Sequence, residues 1–536
     1  MSAPAAAPAA LPSRGQALVI FGGLLLALLI VGLDQTTVAV AAPTMMQKLG
    51  GLGDLPWVFS ANLLAAAAAA PLFGKLSDLF GRRALFITAL AVFVAGSAAC
   101  GLAQNGGQLI AFRAVQGAGS GGITAMVVVV IGAIVGPRTR AAYQGYVGAE
   151  LAVAQVIGPW LGGYLTDHAT WRWVFLLNVP VGLIALVVAW LTLKAPPAGA
   201  RPVIDWFGAA FLVAGIACLL LALSWGGTKY HWSSGQVIGL LVAAAALLTA
   251  FAFTERRAAE PIVPLGFFRD RVTAVALLLM LLVGMSIFSL TFYMPAMLQI
   301  VTGVSATDSG FLVLPLQLGV VATSIVSGHV VAASGRYRPW PIAGTAVAAV
   351  GVYLLSRITP GTGEVTAMLF MVIVGLGLGC LVQLMVVVVQ NAVPQRELGS
   401  VTASTGLFRI VGGAVGSGVF GAILNARLPD AVAKHVPRGA LPPGMPVGFL
   451  TQNPSQVKKM PPPVRTGLAA AFADVFHVIF LSALPLAALA FVAALLLKQI
   501  PMRGHDPAAA DPEEAAPPAV PAQQADGEGA GAGTEG

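Results

Sequence analysis

The chain has 536 residues, of which 57% are hydrophobic and 9% charged, and it carries a net charge of +8. A soluble domain has about 25% charged residues, so most of this chain has to face lipid or other apolar segments. The positive charge does not mark a nucleic-acid binder, because the basic residues fall in short loops between apolar stretches rather than on one soluble face.

Cys100, Cys218 and Cys380 lie in or at the end of separate apolar stretches, which gives neither a disulfide frame nor a metal-ligand spacing. The six His residues are scattered, and no His-Glu-x-x-His or phosphate-loop pattern is present. No metal, cofactor, enzymatic activity or ATP-driven pumping is therefore expected. A signal peptide is not expected either, since the first apolar run is too long for one and lacks a small-residue cleavage pattern.

Residues 1–15, mostly Ala and Pro, are expected to form a disordered tail. About fourteen apolar windows of roughly 20 residues follow. They lie near 17–41, 55–73, 84–103, 108–132, 142–165, 173–193, 205–223, 236–254, 272–299, 308–332, 340–356, 365–390, 401–425 and 474–497. All are expected to be helices, because an open strand edge in lipid leaves backbone groups unpaired.

The first window holds one charge, Asp34, in Leu33-Asp34-Gln35-Thr36-Thr37. A charged Asp at the centre of a span costs roughly 2.5–3.5 kcal/mol on insertion scales. Asp34 is then either a packing residue hydrogen-bonded to a neighbour or a proton or cation site on a transport path. After the second window comes Gly74-Lys75-Leu76-Ser77-Asp78-Leu79-Phe80-Gly81-Arg82-Arg83. Its glycines let helix ends approach around a tight loop, and Asp78 can pair with Arg82 or another nearby base. Ordinary loop topology would explain Arg82 and Arg83, but not the glycine spacing or Asp78.

Arg113 is the least expected residue inside a span. Counting at about 1.5 Å per residue puts Asp34 roughly 10 Å and Arg113 roughly 7–8 Å from the outer ends of their helices, so the two can meet. The same count puts Glu150 well below both, either as a second carboxylate for a proton or cationic substrate or as an interfacial residue reaching headgroups. In the fifth window, Gly158-Pro159-Trp160-Leu161-Gly162-Gly163 predicts a kinked helix with small residues for tight contact.

The seventh and eighth windows, between Arg201 and Glu255, carry no charge except at their ends and read as extras to a six-plus-six plan. After the tenth, Gly328-His329-Val330-Val331-Ala332-Ala333-Ser334-Gly335-Arg336-Tyr337-Arg338 repeats the glycine spacing and the basic cluster without the Asp. A repeat in the same orientation implies two similar bundles side by side. The expected division is 16–194 for the first bundle, 195–260 for the extra helices, and 261–500 for the second bundle. The Pro-rich segment 426–473 is read as a long outer loop with short structure of its own, and 501–536 as a second disordered tail.

With the N-terminus inside, the inner loops hold Lys75, Arg82, Arg83, Arg138, Arg140, Lys194, Arg201, Arg256, Arg257, Arg269, Arg271, Arg336, Arg338 and Arg396. The short outer loops hold Lys48, Arg172, Lys229 and Arg357. The asymmetry favours both termini in the cytoplasm.

These motifs together resemble the major facilitator superfamily, and within it the drug:proton antiporter family with fourteen spans. Gly74 to Arg83 is similar to the superfamily's loop motif between spans two and three. Leu33 to Pro43 resembles the first-span motif, with Ala39 where the family usually has Asn. Arg113-Ala114-Val115-Gln116-Gly117-Ala118-Gly119 resembles the fourth-span motif. Gly158 to Gly163 resembles the fifth-span antiporter motif, with Ala154 for its leading Gly. Tyr293-Met294-Pro295 with Gln299, and Arg409 with Gly412-Gly413, fit the second half.

The resemblance implies an all-α membrane protein of two six-helix bundles plus two additional central helices. It also implies a proton-coupled exporter of lipophilic, cationic compounds, acting as a monomer in the plasma membrane. It makes the Gly74–Arg83 loop a latch and puts the Gly158–Gly163 helix at the interface between the bundles. Phe288, Phe292, Tyr293, Gln299, Gln317, Gln383 and Met385 are candidates to line the second half of a cavity, since such side chains suit varied apolar ligands. A dedicated exporter of a lipid or natural product is the near alternative. A scaffold or sensor without transport fits less well with Asp34, Arg113 and Glu150.

Overall fold

The computed structural model describes residues 14–49, 55–134, 140–193, 205–226, 230–258, 265–304, 306–394, 397–437, 440, 457 and 460–502. Nearly all of both tails, and most of the middle of the long outer loop, lie outside the described residues. Among those described are fourteen helices of fifteen residues or more: α1 (Arg14–Leu49), α2 (Leu55–Phe80), α3 (Arg82–Leu102), α4 (Gly106–Ile134), α5 (Arg140–His168), α6 (Asn178–Thr192), α7 (Trp206–Trp225), α8 (Gly235–Glu255), α9 (Arg271–Val301), α10 (Ala306–Ser334), α11 (Pro339–Leu355), α12 (Glu364–Ala392), α13 (Leu398–His435) and α14 (Pro462–Leu496). Ten of these are long and apolar enough to cross a membrane, as is α6 when taken with the turn before it as Trp173–Thr192; α5, α7 and α11 are less apolar or shorter.

Helix starts follow local chemistry. Asp205, Ser234 and Asp270 cap α7, α8 and α9 by accepting from the backbone N–H three residues on. The sixth window is broken: a one-turn helix, Trp173–Leu176, precedes α6. Pro180 cannot donate to the carbonyl of Leu176, which loosens the chain at that point. The outer loop is partly helical, because α13 runs on to His435 and α14 begins at Pro462. The two extensions are tied where His435 Nε2 meets Asp474 Oδ2 at 2.7 Å.

The helices form two bundles on one plan. In the first, α4 packs on α2 and α3, α1 packs on α4, α5 and α6, and α3 packs on α6. In the second, α12 packs on α10 and α11, α9 packs on α12, α13 and α14, and α11 packs on α14. Every contact recurs with the helix number advanced by eight. The loop repeat has the same meaning in detail. Gly81 and Gly335 both have positive φ, 90° and 69°, where a Cβ would be strained. Arg83 Nη2 then donates to Trp190 O at 2.9 Å at the end of α6, and Arg338 Nη2 donates to Leu495 O at 3.1 Å at the end of α14. Each arginine satisfies a carbonyl that the helix end leaves open.

The additional helices are central in the sequence and peripheral in space. α7 and α8 pack on each other, with α7 against α2 and α13, and only 17% of the apolar stretch of α8 is buried.

The bundles meet through α2 with α13 and α5 with α10. A methyl group on Gly74 would stand 2.6 Å from Ala403 Cβ and 2.7 Å from Gly399 O, and one on Gly328 would strike the backbone of Ala141. Gly145 lies against Ser324 and Ile325, and Gly132 against Gln390, whose Nε2 reaches Val128 O at 3.4 Å. All these contacts lie in the halves of the helices nearest the loops that carry Lys75, Arg82, Arg83, Arg140, Arg336 and Arg338, hereafter the basic end. There the two bundles are closed on each other.

Candidate functional site

The small residues of α4 set the site. Gly117 and Gly121 lie against the backbones of Asn62 and Ala66 on α2, and Gly119 against Phe93 on α3. No Cβ fits at these crossings, so three helices approach at backbone distance. This holds Arg113 and Gln116, one turn earlier, facing α1.

Asp34 and Arg113 are brought together. They are 2% and 1% exposed, and Arg113 Nη1 lies 2.6 Å from Asp34 Oδ2. Gln116 Nε2 and Asn178 Nδ2 donate to Asp34 Oδ1 at 2.8 and 3.0 Å. Arg113 also donates from Nη1 to Gln116 Oε1 at 2.7 Å and from Nε to Val58 O at 3.1 Å. Its guanidinium lies over the Phe175 ring, 5.8 Å from the centroid. Gln116 Nε2 further donates to Ser97 Oγ at 2.8 Å. The carboxylate thus accepts three N–H donors, and the opposite charge lies within hydrogen-bond distance. A buried pair is tolerable when its remaining valences are satisfied in this way.

The neutral members of this shell were not visible as site residues in the sequence. Gln116 follows Arg113 by three residues, hence on one helix face, which is the signal that could have found it. Asn178 lies at the break before Pro180, a polar residue at an irregular point of a span. Ser97 carried no signal.

Glu150 stays outside this network. Its Oε1 is buried without a hydrogen-bond partner, and a methyl group on Gly32 of α1 would stand 2.8 Å from that oxygen. Gly32 precedes Asp34 by two residues, roughly 3 Å along the axis. The expected position well below Asp34 is therefore corrected. α1 has 36 residues and α5 has 29. At about 1.5 Å per residue α1 overshoots the bilayer, and counts from its ends do not share a baseline with counts from α5.

The antiporter glycines of α5 pack on α1. Gly158 meets Thr36, a methyl group on Gly162 would lie 2.7 Å from Thr37 O, and Gly163 is nearly open. Thr36 Oγ1 donates to Ala154 O at 3.1 Å, joining the same two helices. α5 does lie at the interface between the bundles, packed on α10, but it meets the second bundle through Ala141, Gly145 and Gly148, while Gly158 and Gly162 face α1 within the first bundle. In the first loop Lys75, Arg82 and Arg83 are half-buried, while the side chains of Asp78, Pro159 and Phe292 lie outside the described residues.

The remaining cavity candidates do not form one cluster. Phe288 packs on Gly413 and Tyr293 donates to Ser417 O at 3.0 Å, both between α9 and α13. Met385 is fully buried in the apolar core of the second bundle, Gln317 is buried on α10, and Gln299 is half-buried on α9. Gln383 faces the first bundle, its Cγ 3.6 Å from where a Gly148 methyl would stand. Among the described residues no group of three or more His, Cys, Asp or Glu is placed to hold a metal.

Comparison with known proteins agrees with this geometry. The Major Facilitator Superfamily profile matches residues 24–417. An uncharacterized MFS-type transporter of Mycobacterium tuberculosis is 35% identical over 515 residues, covering 95% of this chain and 74% of the relative. The multidrug transporter protein MdtP of Bacillus subtilis is 37% identical over 405 residues, covering 76% of this chain and 75% of the relative. The crystal structure of the human organic anion transporter MFSD10 shares the fold, with a TM-score of 0.58 at 14% identity, over 88% of this chain and 99% of that one. The chain belongs to the Major Facilitator Superfamily: it is a multi-pass membrane transporter of small molecules rather than an enzyme.

Proposed function

We propose that the protein is a proton-coupled exporter of lipophilic, cationic compounds, working by alternating access in the fourteen-span plan with the basic end and both termini in the cytoplasm. The observation that carries this reading is the buried Asp34–Arg113 pair, with its amide shell, beyond the closed basic end. Relatives named as multidrug transporters and efflux pumps support export as the direction and drugs as the cargo.

The coupling follows from cost. A proton on Asp34 cancels its charge and leaves Arg113 buried without a counter-ion. Breaking a buried pair from one side costs about 3–5 kcal/mol. At about 1.4 kcal/mol per tenfold, that shifts a conformational equilibrium by roughly two to three and a half powers of ten. Protonation thus favours the conformation that gives Arg113 water or another partner, and release of the proton restores the clamp between α1 and α4. Glu150, whose Oε1 lies without a hydrogen-bond partner beside Gly32, two residues before Asp34, is the second station, for a proton or for the cationic group of the substrate.

Efflux in vesicles with an imposed pH gradient tests this. Asp34→Asn is expected to abolish proton-driven efflux of a cationic dye; transport at the wild-type rate would refute the reading. If neutral compounds are carried and cationic dyes are not, the dedicated-exporter alternative replaces the cationic one.

A further inference from the structure

The eight-helix repeat exposes a difference between two equivalent corners at the basic end. In the first bundle, Arg83 starts α3, donates to Trp190 O on α6, and lies over the Trp190 indole at 5.2 Å from the ring centroid. The corner is filled by the protein's own aromatic ring. In the second bundle, Arg338 precedes α11 and donates to Leu495 O on α14. The corresponding side chain is a leucine, which offers no ring to stack on. Beside it lies a groove of about 490 Å³ lined by Arg338, Pro339, Ile342, Ala343, Ala346 and Phe491.

The groove has two chemistries. Its floor is apolar: Ala343 and Ala346 are exposed and Phe491 is half-buried. Ala346 is eight residues beyond Arg338, roughly 12 Å along α11, a depth within one leaflet of a hydrocarbon core about 30 Å thick. Its mouth is cationic. Arg271 Nε donates to Leu496 O at 3.2 Å on the next residue of α14, Arg338 lines the groove and is exposed, and Arg336 and Lys498, close to Arg338 and Leu496 along the chain, are exposed as well. The nearby acid, Asp270, is occupied as the cap of α9, accepting from Thr273 N and Oγ1 at 2.8 and 2.7 Å. Arg338 uses one donor on Leu495 and, with five in a planar fork, retains others suited to phosphate oxygens.

We propose that this groove between α11 and α14 binds an anionic phospholipid, with the headgroup phosphate on Arg338 and an acyl chain along Ala343, Ala346 and Phe491. Charge complementarity selects the occupant. A surfeit of cations at the rim of an apolar groove matches a lipid whose headgroup carries net negative charge, and a zwitterionic headgroup leaves that excess unpaired. The first bundle needs no such lipid, because Trp190 already covers Arg83.

Native mass spectrometry of the purified full chain tests the site without a transport readout. The protein is exchanged into mixed micelles of phosphatidylglycerol and phosphatidylcholine. Phosphatidylglycerol is expected to be retained on wild type at least fivefold over phosphatidylcholine. Arg338→Gln is expected to remove that preference, whereas Arg83→Gln leaves it intact. Ala346→Trp, which fills the groove and touches no helix cap, is expected to lower retention to the same extent as Arg338→Gln, so the site remains testable if Arg338→Gln folds poorly. Equal retention of the two lipids, or an equal loss in Arg83→Gln and Arg338→Gln, would overturn the proposal. So would displacement of the lipid by millimolar glycerol 3-phosphate, since that would make a soluble phosphate the ligand.

Discussion

The two bundles share one helix plan and differ in what they bury. In the first, Arg113 stands seven residues into α4, counted from Gly106, and meets Asp34. In the second, the residue seven into α12, counted from Glu364, is Met371, fully buried and a member of the same continuous apolar cluster as Leu279, Met280, Val374 and Leu378. At this matching point the same architecture therefore holds a charge pair in one half and an apolar side chain in the other. A fold that tolerates either interior does not itself require the charge. The difference is the reason the proposed proton chemistry is placed in the first half.

The comparison can be broken most forcefully at the pair. Asp34→Asn leaves Arg113 buried and uncompensated and is expected to lower stability by about 3–5 kcal/mol, read as thermal unfolding in detergent. Adding Arg113→Gln is expected to recover most of that loss without restoring efflux, which separates the pair's structural cost from its function. The reciprocal change comes next. Met371→Arg places an unpaired cation at the matching point of the second bundle and is expected to cost about 2.5–3.5 kcal/mol; a negligible change would mean that this depth is wet in both halves.

Smaller effects sharpen the contrast. Gly158→Val and Gly412→Val each overfill a helix crossing, at about 1–3 kcal/mol. Gly412 is expected to be the costlier, because it meets the backbone of Leu281, whereas at Gly158 the nearest atom is Thr36 Oγ1, which χ1 rotation can move, leaving only the contact with Thr36 Cβ to be relieved by a helix shift. Glu150→Gln removes an unpartnered buried carboxyl and is expected to change stability by no more than about 0.5 kcal/mol while slowing proton-driven efflux about tenfold, a change of about 1.4 kcal/mol. Equal losses of stability and efflux would make Glu150 a packing residue.

Asp34 and Arg113 were readable from the sequence because a lone charge in an apolar run costs too much to be incidental, although α1 runs on to Leu49, well past the apolar window from which the depth of Asp34 was counted. The repeat was readable because two glycines recur at one spacing, and Gly81 and Gly335 both take a positive φ that a side chain would strain. The shell was not readable. Ser97, Gln116 and Asn178 are neutral, and neutral polar residues in spans point inward for many reasons. Glu150 was misplaced because helix lengths differ, and Met385 shows that a soft side chain in a span is as often core as cavity. Which faces of α5 meet α1 and which meet α10 depends on helix rotation, which glycine spacing alone does not set.

The central claim is that the Asp34–Arg113 pair exchanges a proton as the transporter binds its cargo. Proton release from the purified protein in weak buffer, on addition of a lipophilic cationic dye, measures it most directly. The account predicts release in wild type and none in the double variant Asp34→Asn with Arg113→Gln, provided that variant remains folded. Undiminished release from the folded double variant would contradict it.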